Sequence, residues 1–447
     1  MATPPPVIET LVELFDRNIE TYKSPAYDEA KLRVEFVNKF WKALGWDIDN
    51  DQGHALPYQD VIHEDSLKMG GSTKAPDYSF RVGGQRKFFL ETKKPAVNIK
   101  DDPDPAYQLR RYAWTAKLPL SILTDFESLA VYDGRVRPRP RDKASAARID
   151  LIEYTDYLSR WEEIASRFSK EAIQKGLFDK YAGETKGKRG TAEVDAEFLK
   201  ELEGWRDVLA RNLALRNPAL TRRELNYAVQ MTIDRIVFLR LCEDRGIERF
   251  AQLQALTAGP GIYPRLAGVF RAADQKYNSG LFHFEKERDR PGEPDALTPS
   301  LQIDDKVLKD ILASLYMPAC PYEFSVLPPE ILGSAYERFL GKVITLTKGH
   351  QARIEEKPEV RKAGGVYYTP QYIVDYIVRN TVGGMIEGKP PEEISSLKIL
   401  DPACGSGSFL LGAYRYLLDY HLDWYTTRMK ADGEVPVGAG LKPAPTG

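Results

Sequence analysis

Ile399-Leu400-Asp401-Pro402-Ala403-Cys404-Gly405-Ser406-Gly407-Ser408-Phe409 reads as a strand that runs into a glycine turn and then a helix. The mostly apolar run Leu397–Leu400 is strand-like and ends at Asp401. Gly405 and Gly407 permit a tight turn with close ligand approach. A helix opening near Ser408 exposes backbone N–H donors at its N-terminus. In open α/β sheets that edge is where nucleotide-like ligands bind. Phe409 lies 38 residues before Gly447, which predicts that most of the domain opened by this motif is missing.

The 447-residue length fits about three domains with several buried cores. Basic and acidic residues nearly balance, 63 against 65. That excludes a strongly basic protein but not nucleic-acid binding, which needs only a local basic surface. Cys242, Cys320 and Cys404 are widely separated, so neither a metal spacing nor a disulfide framework is expected. The N-terminus has no basic-then-apolar signal pattern, and no run reaches the length of a membrane span. A soluble, cytoplasmic protein is expected.

Residues 7–22 and 27–44 have helical apolar spacing, the second ending at Gly45. Tyr78–Val82 alternates, Gly83-Gly84 turns, and Lys87–Glu91 returns, which is a hairpin signature. A helix over 106–116 and strands over 119–123 and 129–133 complete an α/β domain over 1–150. Gly134–Lys143 reads as a Pro/Arg linker and Thr185–Gly190 as a second basic joint. Residues 151–182 and 192–257 read as amphipathic helices, 258–300 as loop. Helices fit 304–316 and 328–342. The segment 364–430 returns to α/β character, and the Gly/Pro-rich end closes without a packed element.

Glu91-Thr92-Lys93 ends the second hairpin strand, fourteen positions after Asp77 opens the first. Residues two apart on a strand share a face, so Glu91 and Lys93 project together, and the hairpin can bring Asp77 beside them. Paired carboxylates suit Mg²⁺, a hard cation that prefers oxygen ligands. Such a metal lowers the pKa of a bound water and neutralises charge on a phosphate. Lys93 can orient or help deprotonate that water. Glu35, on the preceding helix, can add a third carboxylate. A plain solvated hairpin face is the bland alternative. The order helix-Glu, Asp-strand, hairpin, Glu-X-Lys strand, helix resembles the PD-(D/E)xK nuclease family over residues 27–135. Gln108-Leu109-Arg110-Arg111-Tyr112 is similar to the Gln-xxx-Tyr element of nuclease domains in type I restriction motor subunits. Gln108 and Tyr112 share a helix face, where they can contact DNA or support the site.

Residues 231–246 form a helical stripe most simply read as core, with Cys242 a buried thiol. This segment resembles the connector of fused, type IIG restriction–modification enzymes, and Ile331–Leu340 the helix that leads into an adenine methyltransferase. Thr369 is a plausible N-cap and Pro370 a first helical residue for a helix over 371–380. Together with Asp401–Phe409, the run Gly364–Pro370 resembles the cofactor-binding elements of N6-adenine DNA methyltransferases over about 325–425.

That resemblance implies S-adenosylmethionine as ligand. Tyr368, Thr369 and Pro370 would border its methionine end. Asp401, Pro402, Ala403, Gly405 and Gly407 would line the turn, with Phe409 packing nearby. Members of that family grip a flipped adenine with Asn/Asp-Pro-Pro-Tyr/Phe. Asn217-Pro218-Ala219-Leu220 and Leu327-Pro328-Pro329-Glu330 both fail that pattern.

The expected architecture is therefore α/β multidomain. It comprises a PD-(D/E)xK nuclease-like α/β domain (1–150), an α-helical connector (151–325), a partial Rossmann-like methyltransferase domain (326–430) and a disordered tail (431–447). Double-stranded DNA is the expected partner, with a separate chain possible for the rest of the methyltransferase. The expectation is a Mg²⁺-dependent endonuclease joined to an incomplete adenine methyltransferase. Two alternatives stay open: a methyltransferase component whose nuclease-like domain only binds DNA, and an inactive truncated remnant.

Overall fold

The computed structural model describes residues 3–54, 56, 59–63, 76–184, 194–277, 279–286, 292–327, 331, 341–356, 369, 371–404 and 407–432. The chain divides into two compact units, one of residues 1–328 and 343–355, the other of 329–342 and 356–447.

The first unit begins with a six-stranded sheet whose order follows the sequence: β1 (Val61–His63), β2 (Tyr78–Val82), β3 (Gln85–Thr92), β4 (Leu120–Thr124), β5 (Ser128–Asp133) and β6 (Arg148–Glu153). Neighbours are antiparallel except β3 and β4, which run parallel. Parallel neighbours need a crossover, and α3 (Pro103–Thr115) supplies it. Asp102 caps that helix by accepting from Asp104 N at 3.0 Å, with Pro103 at its first position. Gly83 and Gly84, at φ +58° and +76°, close the β2–β3 turn.

Strand alternation splits the core into two layers. Phe88 faces α1 (Pro6–Arg17) and α2 (Glu29–Leu32, running through a π-helical turn Arg33–Val37 into Asn38–Ala43). There Phe80 stacks on Phe88 at 4.5 Å, and Trp41 packs on both rings. Phe89 faces α3, among Leu109, Tyr112 and Leu123.

The first core does not stop at 150. The strand β6 crosses that position, and its mixed Arg-Ile-Asp-Leu-Ile-Glu pattern conceals it in the sequence. Helices α4 (Trp161–Phe168), α5 (Lys170–Gln174) and α6 (Leu177–Glu184) add Trp161, Phe168, Ile173 and Phe178 to the layer under Phe88. Gly134–Lys143 is thus no linker between domains but part of the connection between two neighbouring strands.

The helical part of this unit centres on α7 (Val194–Arg216) and α8 (Arg222–Asp244), the latter opened by a Thr221/Glu224 capping box. The stretch 258–300, expected as loop, contains α9 (Ile262–Tyr277). Gly261 and Pro264 look like breakers, but a tertiary cap overrides them. Asp305, at the start of α10 (Asp305–Ser314), accepts from Gly261 N and Ile262 N, each at 2.7 Å. The hairpin β7 (Lys342–Leu346) and β8 (Ala352–Glu356) is held by Asn226, which donates to Ile344 O at 2.8 Å and accepts from Ile344 N at 2.9 Å. The helix expected over 328–342 lies almost wholly outside the described residues, as do Thr185–Gly190 and 433–447.

In the second unit, α11 (Gln371–Val378) continues into a π-helical turn, Arg379–Gly383, and packs on α12 (Ser408–Asp432). Val374, Val378, Val382, Ile386, Ile394 and Ala413 form its core. A Cβ at Gly412 would meet Val374 Cγ1 at 2.6 Å, so only glycine permits this helix crossing. The strand expected over Leu397–Leu400 is not formed, and Leu400 is 86% exposed. A strand needs a neighbour, and none of the described strands lies alongside it. No helix among the described residues is long and apolar enough to cross a membrane.

Asp125, at the β4–β5 turn, is almost fully buried, and that burial pushes its carboxyl up to about 8. The folded state therefore holds a proton that the unfolded chain releases near pH 4, and stability falls as pH rises from about 4 to 8. Asparagine can still accept the 2.8 Å hydrogen bond from Ser128 N. Urea unfolding should show Asp125→Asn gaining on the parent by about 1 kcal/mol or more between pH 5 and pH 8.

Candidate functional site

The site begins with hairpin register. Tyr78 pairs with Leu90, so the next antiparallel pair outward is Asp77 with Glu91. Directly opposed residues project from the same face. Two acids are thus forced together where β3 leaves the sheet. Asp77 Oδ2 accepts from Thr92 N and from Thr92 Oγ1, both at 2.7 Å. Lys93 N donates to Thr124 O at 3.0 Å, extending the β3–β4 pairing by one residue.

Glu91 is 2% exposed. Its Oε1 accepts from Lys93 Nζ at 2.7 Å and from Gln108 Nε2 at 2.9 Å. Its Oε2 is buried without a hydrogen-bond partner. Burial, and then the neighbouring Asp77, push the Glu91 carboxyl up to about 8, against the opposing pull of Lys93. Burial works to lower the Lys93 ammonium, but Glu91, Glu29 and Asp77 outweigh it and the net shift is upward. The cluster favours a retained ammonium and a carboxyl that holds its proton near neutral pH.

The third acid is Glu29, a residue that spacing did not single out. Its Oε1 lies 3.1 Å from Thr92 Oγ1 and accepts from Arg33 Nη2 at 3.0 Å. Arg33 Nη2 also lies 3.4 Å from Asp77 Oδ1. Burial, then Asp77, raise the Glu29 carboxyl, while Lys93 and Arg33 oppose. Glu35, the expected third carboxylate, instead accepts from Tyr27 OH at 2.8 Å. Residues six apart stand about 240° apart around a regular helix, so only one of the two can face the sheet edge. The π-helical turn that begins at Arg33 changes the phase further. The one sequence signal for Glu29 is its place in the first turn of a helix capped by Asp28, one turn before Arg33.

Gln108 and Tyr112 stand on α3 beside this cluster. Gln108 reaches Glu91 directly, and Tyr112 lies one turn further along the same helix. Tyr112 is buried, with its ring edge-on to Phe89 at 6.4 Å. It supports the site from behind rather than presenting its hydroxyl to solvent.

The donor set can suit a hard divalent cation: carboxylates alone, with one buried carboxylate oxygen unengaged. In this arrangement the acids are turned to protein partners. No group of three or more His, Cys, Asp or Glu side chains among the described residues is set to hold a metal.

In the second unit, Asp401 Oδ1 accepts from Ala403 N at 3.0 Å, forming an Asx turn. Gly407, at φ +79°, donates from N to Cys404 O at 2.7 Å and accepts from Leu411 N at 2.8 Å. Pro402, Ala403 and Cys404 are exposed, and Phe409 packs on the unit's core. Thr369 is half-buried, while Tyr368, Pro370 and Gly405 lie outside the described residues. The expected helix is formed, with α12 starting at Ser408.

The N-6 DNA Methylase family matches residues 329–430. Over 426 residues, 95% of this chain, the sequence is 36% identical to the type II restriction enzyme and methyltransferase RM.Eco57I of Escherichia coli. The chain spans 42% of the length of that relative. Among solved structures, the type IIG restriction endonuclease BpuSI matches 86% of this chain and 36% of its own, at 15% identity and a TM-score of 0.23. The sequence relative and the methylase segment, rather than that weak structural overlap, carry the likeness. By sequence the chain is similar to a type II restriction enzyme and methyltransferase, and its residues 329–430 match the N-6 DNA Methylase family.

Proposed function

We propose that the N-terminal α/β domain hydrolyses phosphodiester bonds in double-stranded DNA with Mg²⁺ held by Asp77 and Glu91, and Glu29 beside them. The convergence of Asp77, Glu91, Lys93 and Gln108 at the end of β3 carries this reading. A bound Mg²⁺ supplies a water of lowered pKa and positive charge against the phosphate. Asp77, Glu91 and Glu29 would hold the ion, Glu91 in its carboxylate form. Lys93 would orient the attacking water, or take its proton only after losing its own. Gln108 would fix the Glu91 carboxylate through Oε1.

The second unit is proposed to bind S-adenosylmethionine at the turn Asp401–Gly407, with Tyr368, Thr369 and Pro370 toward the methionine end. Its substrate would be the adenine amino group of DNA. Asn/Asp-Pro-Pro-Tyr/Phe does not occur in residues 1–447. We therefore assign the adenine grip and target recognition to polypeptide outside this sequence, on the same chain or a separate one. In such a system methylation marks host DNA and the nuclease cuts unmarked DNA.

One observation favours the alternative of a nuclease-like domain that binds DNA without cutting. Asp77 Oδ2 is already taken by two donors from Thr92, and the acids do not form a ready cage. Cleavage decides between the readings. Incubated with unmethylated DNA and Mg²⁺, the parent should cut, and Lys93→Ala and Glu29→Gln should each lose at least about a hundredfold in rate. Glu35→Gln should stay within about threefold of the parent, because Glu35 is turned to Tyr27 and not to Asp77 or Glu91, and glutamine can still accept from Tyr27. A parent that binds DNA but never cuts it supports the binding-only alternative.

Calorimetry tests the second unit. S-adenosylmethionine should release heat on binding, and Asp401→Ala should weaken binding about tenfold or more by removing the Asx turn's acceptor. No binding to the parent would favour an inactive remnant.

A further inference from the structure

Helix α3 makes two sets of contacts along its length. Gln108 reaches Glu91. Further along, Arg111, Trp114 and Thr115 meet a non-helical segment that follows α10. Arg111 Nη2 donates to Tyr322 O at 2.7 Å, and Arg111 Nη1 lies 3.5 Å from Glu323 Oε2. Glu323 N donates to Thr115 Oγ1 at 3.0 Å. Trp114 stacks on Tyr322 at 5.4 Å. All of these groups are buried.

The same segment is anchored at its other side to α8. Phe324 N donates to Asp244 Oδ2 at 3.2 Å, and Arg240 Nε donates to Leu315 O at 3.0 Å. The Arg240 guanidinium also sits over the Tyr316 ring at 4.4 Å and the Phe324 ring at 5.0 Å. Tyr316 OH donates to Glu243 Oε2. Residues 315–324 therefore bridge the C-terminal end of α8 to the C-terminal half of α3, and the methylase-matched segment starts five residues later, at 329.

We propose that residues 315–324 are a positioning strap: through the Arg111–Glu323 contact they fix α3, and α3 in turn holds Glu91 through Gln108. Arg111, Glu323, Gln108 and Tyr112 are then positioning residues for the proposed nuclease site, on whose reading this inference rests. Tyr112 lies between these contacts: burial first, then Glu323 and Glu91, hold its hydroxyl well above its ordinary range. A buried charged contact of this kind loses most when one partner is removed. Loosening the strap should thus be felt at Glu91, without any change in the residues that meet DNA.

Hydrogen exchange on the full chain, without metal or DNA, tests the strap independently of cleavage. In Glu323→Gln the amides of 104–115 and 88–92 should exchange about tenfold faster than in the parent, with 8–15 unchanged. Glu323→Asp, which keeps the charge, should restore part of the protection. Asp142→Asn removes the other ion pair of this helix, Arg110–Asp142 at 2.8 Å, and should leave 88–92 unchanged. Faster exchange confined to 315–324 would overturn the proposal, as would an equal rise across the whole unit. As a second arm, Glu323→Gln should need about tenfold more Mg²⁺ for half-maximal cleavage. A parent that does not cut would defeat the nuclease reading and leave the exchange result standing on its own.

Discussion

The opposition of Asp77 and Glu91 across the β2–β3 hairpin is the constraint on which the candidate site depends. The hairpin register ends at Tyr78–Leu90, which leaves them side by side just beyond it, and burial keeps water from separating them. Two carboxylates so placed resist joint ionisation. The structure meets that cost in three ways. Thr92 donates twice to Asp77, Lys93 gives its ammonium to Glu91, and Glu91 retains a proton up to about pH 8. A divalent cation would replace all three devices with one charge, which is the physical ground of the proposed metal site.

The rest of the first unit serves that register. The parallel β3–β4 pair needs a crossover, and the crossover helix brings Gln108 to Glu91. The aromatic layer of Phe80, Phe88 and Trp41 holds the hairpin against α2, from which Glu29 reaches Thr92. The helices over 161–184 close the same layer from below. Sheet, crossover and helical cover thus converge on one strand end.

The local features legible in the sequence were those whose determinants lie close together in the chain. Alternation around Gly83-Gly84 defined the hairpin, and the Glu91–Lys93 spacing put both side chains on one face. The Gly-Ser-Gly turn marked the start of the helix at Ser408. Features decided at a distance were hidden. Glu29 replaced Glu35 because helix phase relative to the sheet edge is a tertiary matter, altered here by a π-helical turn. The helix at Ile262 formed despite its breakers because Asp305 caps it from forty-three residues away. The strand β6 escaped notice because a half-buried edge strand tolerates Arg, Asp and Glu. Leu397–Leu400 has strand composition, yet composition cannot provide a neighbouring strand.

Metal binding itself is the most direct test of the central claim. Titrating the full chain with Mn²⁺, followed by electron paramagnetic resonance, should reveal one bound ion per chain. That signal should be lost in Glu91→Gln and in Asp77→Asn while both variants keep the parent's circular dichroism. A parent that binds no ion, or an ion that both substitutions leave in place, would contradict the account.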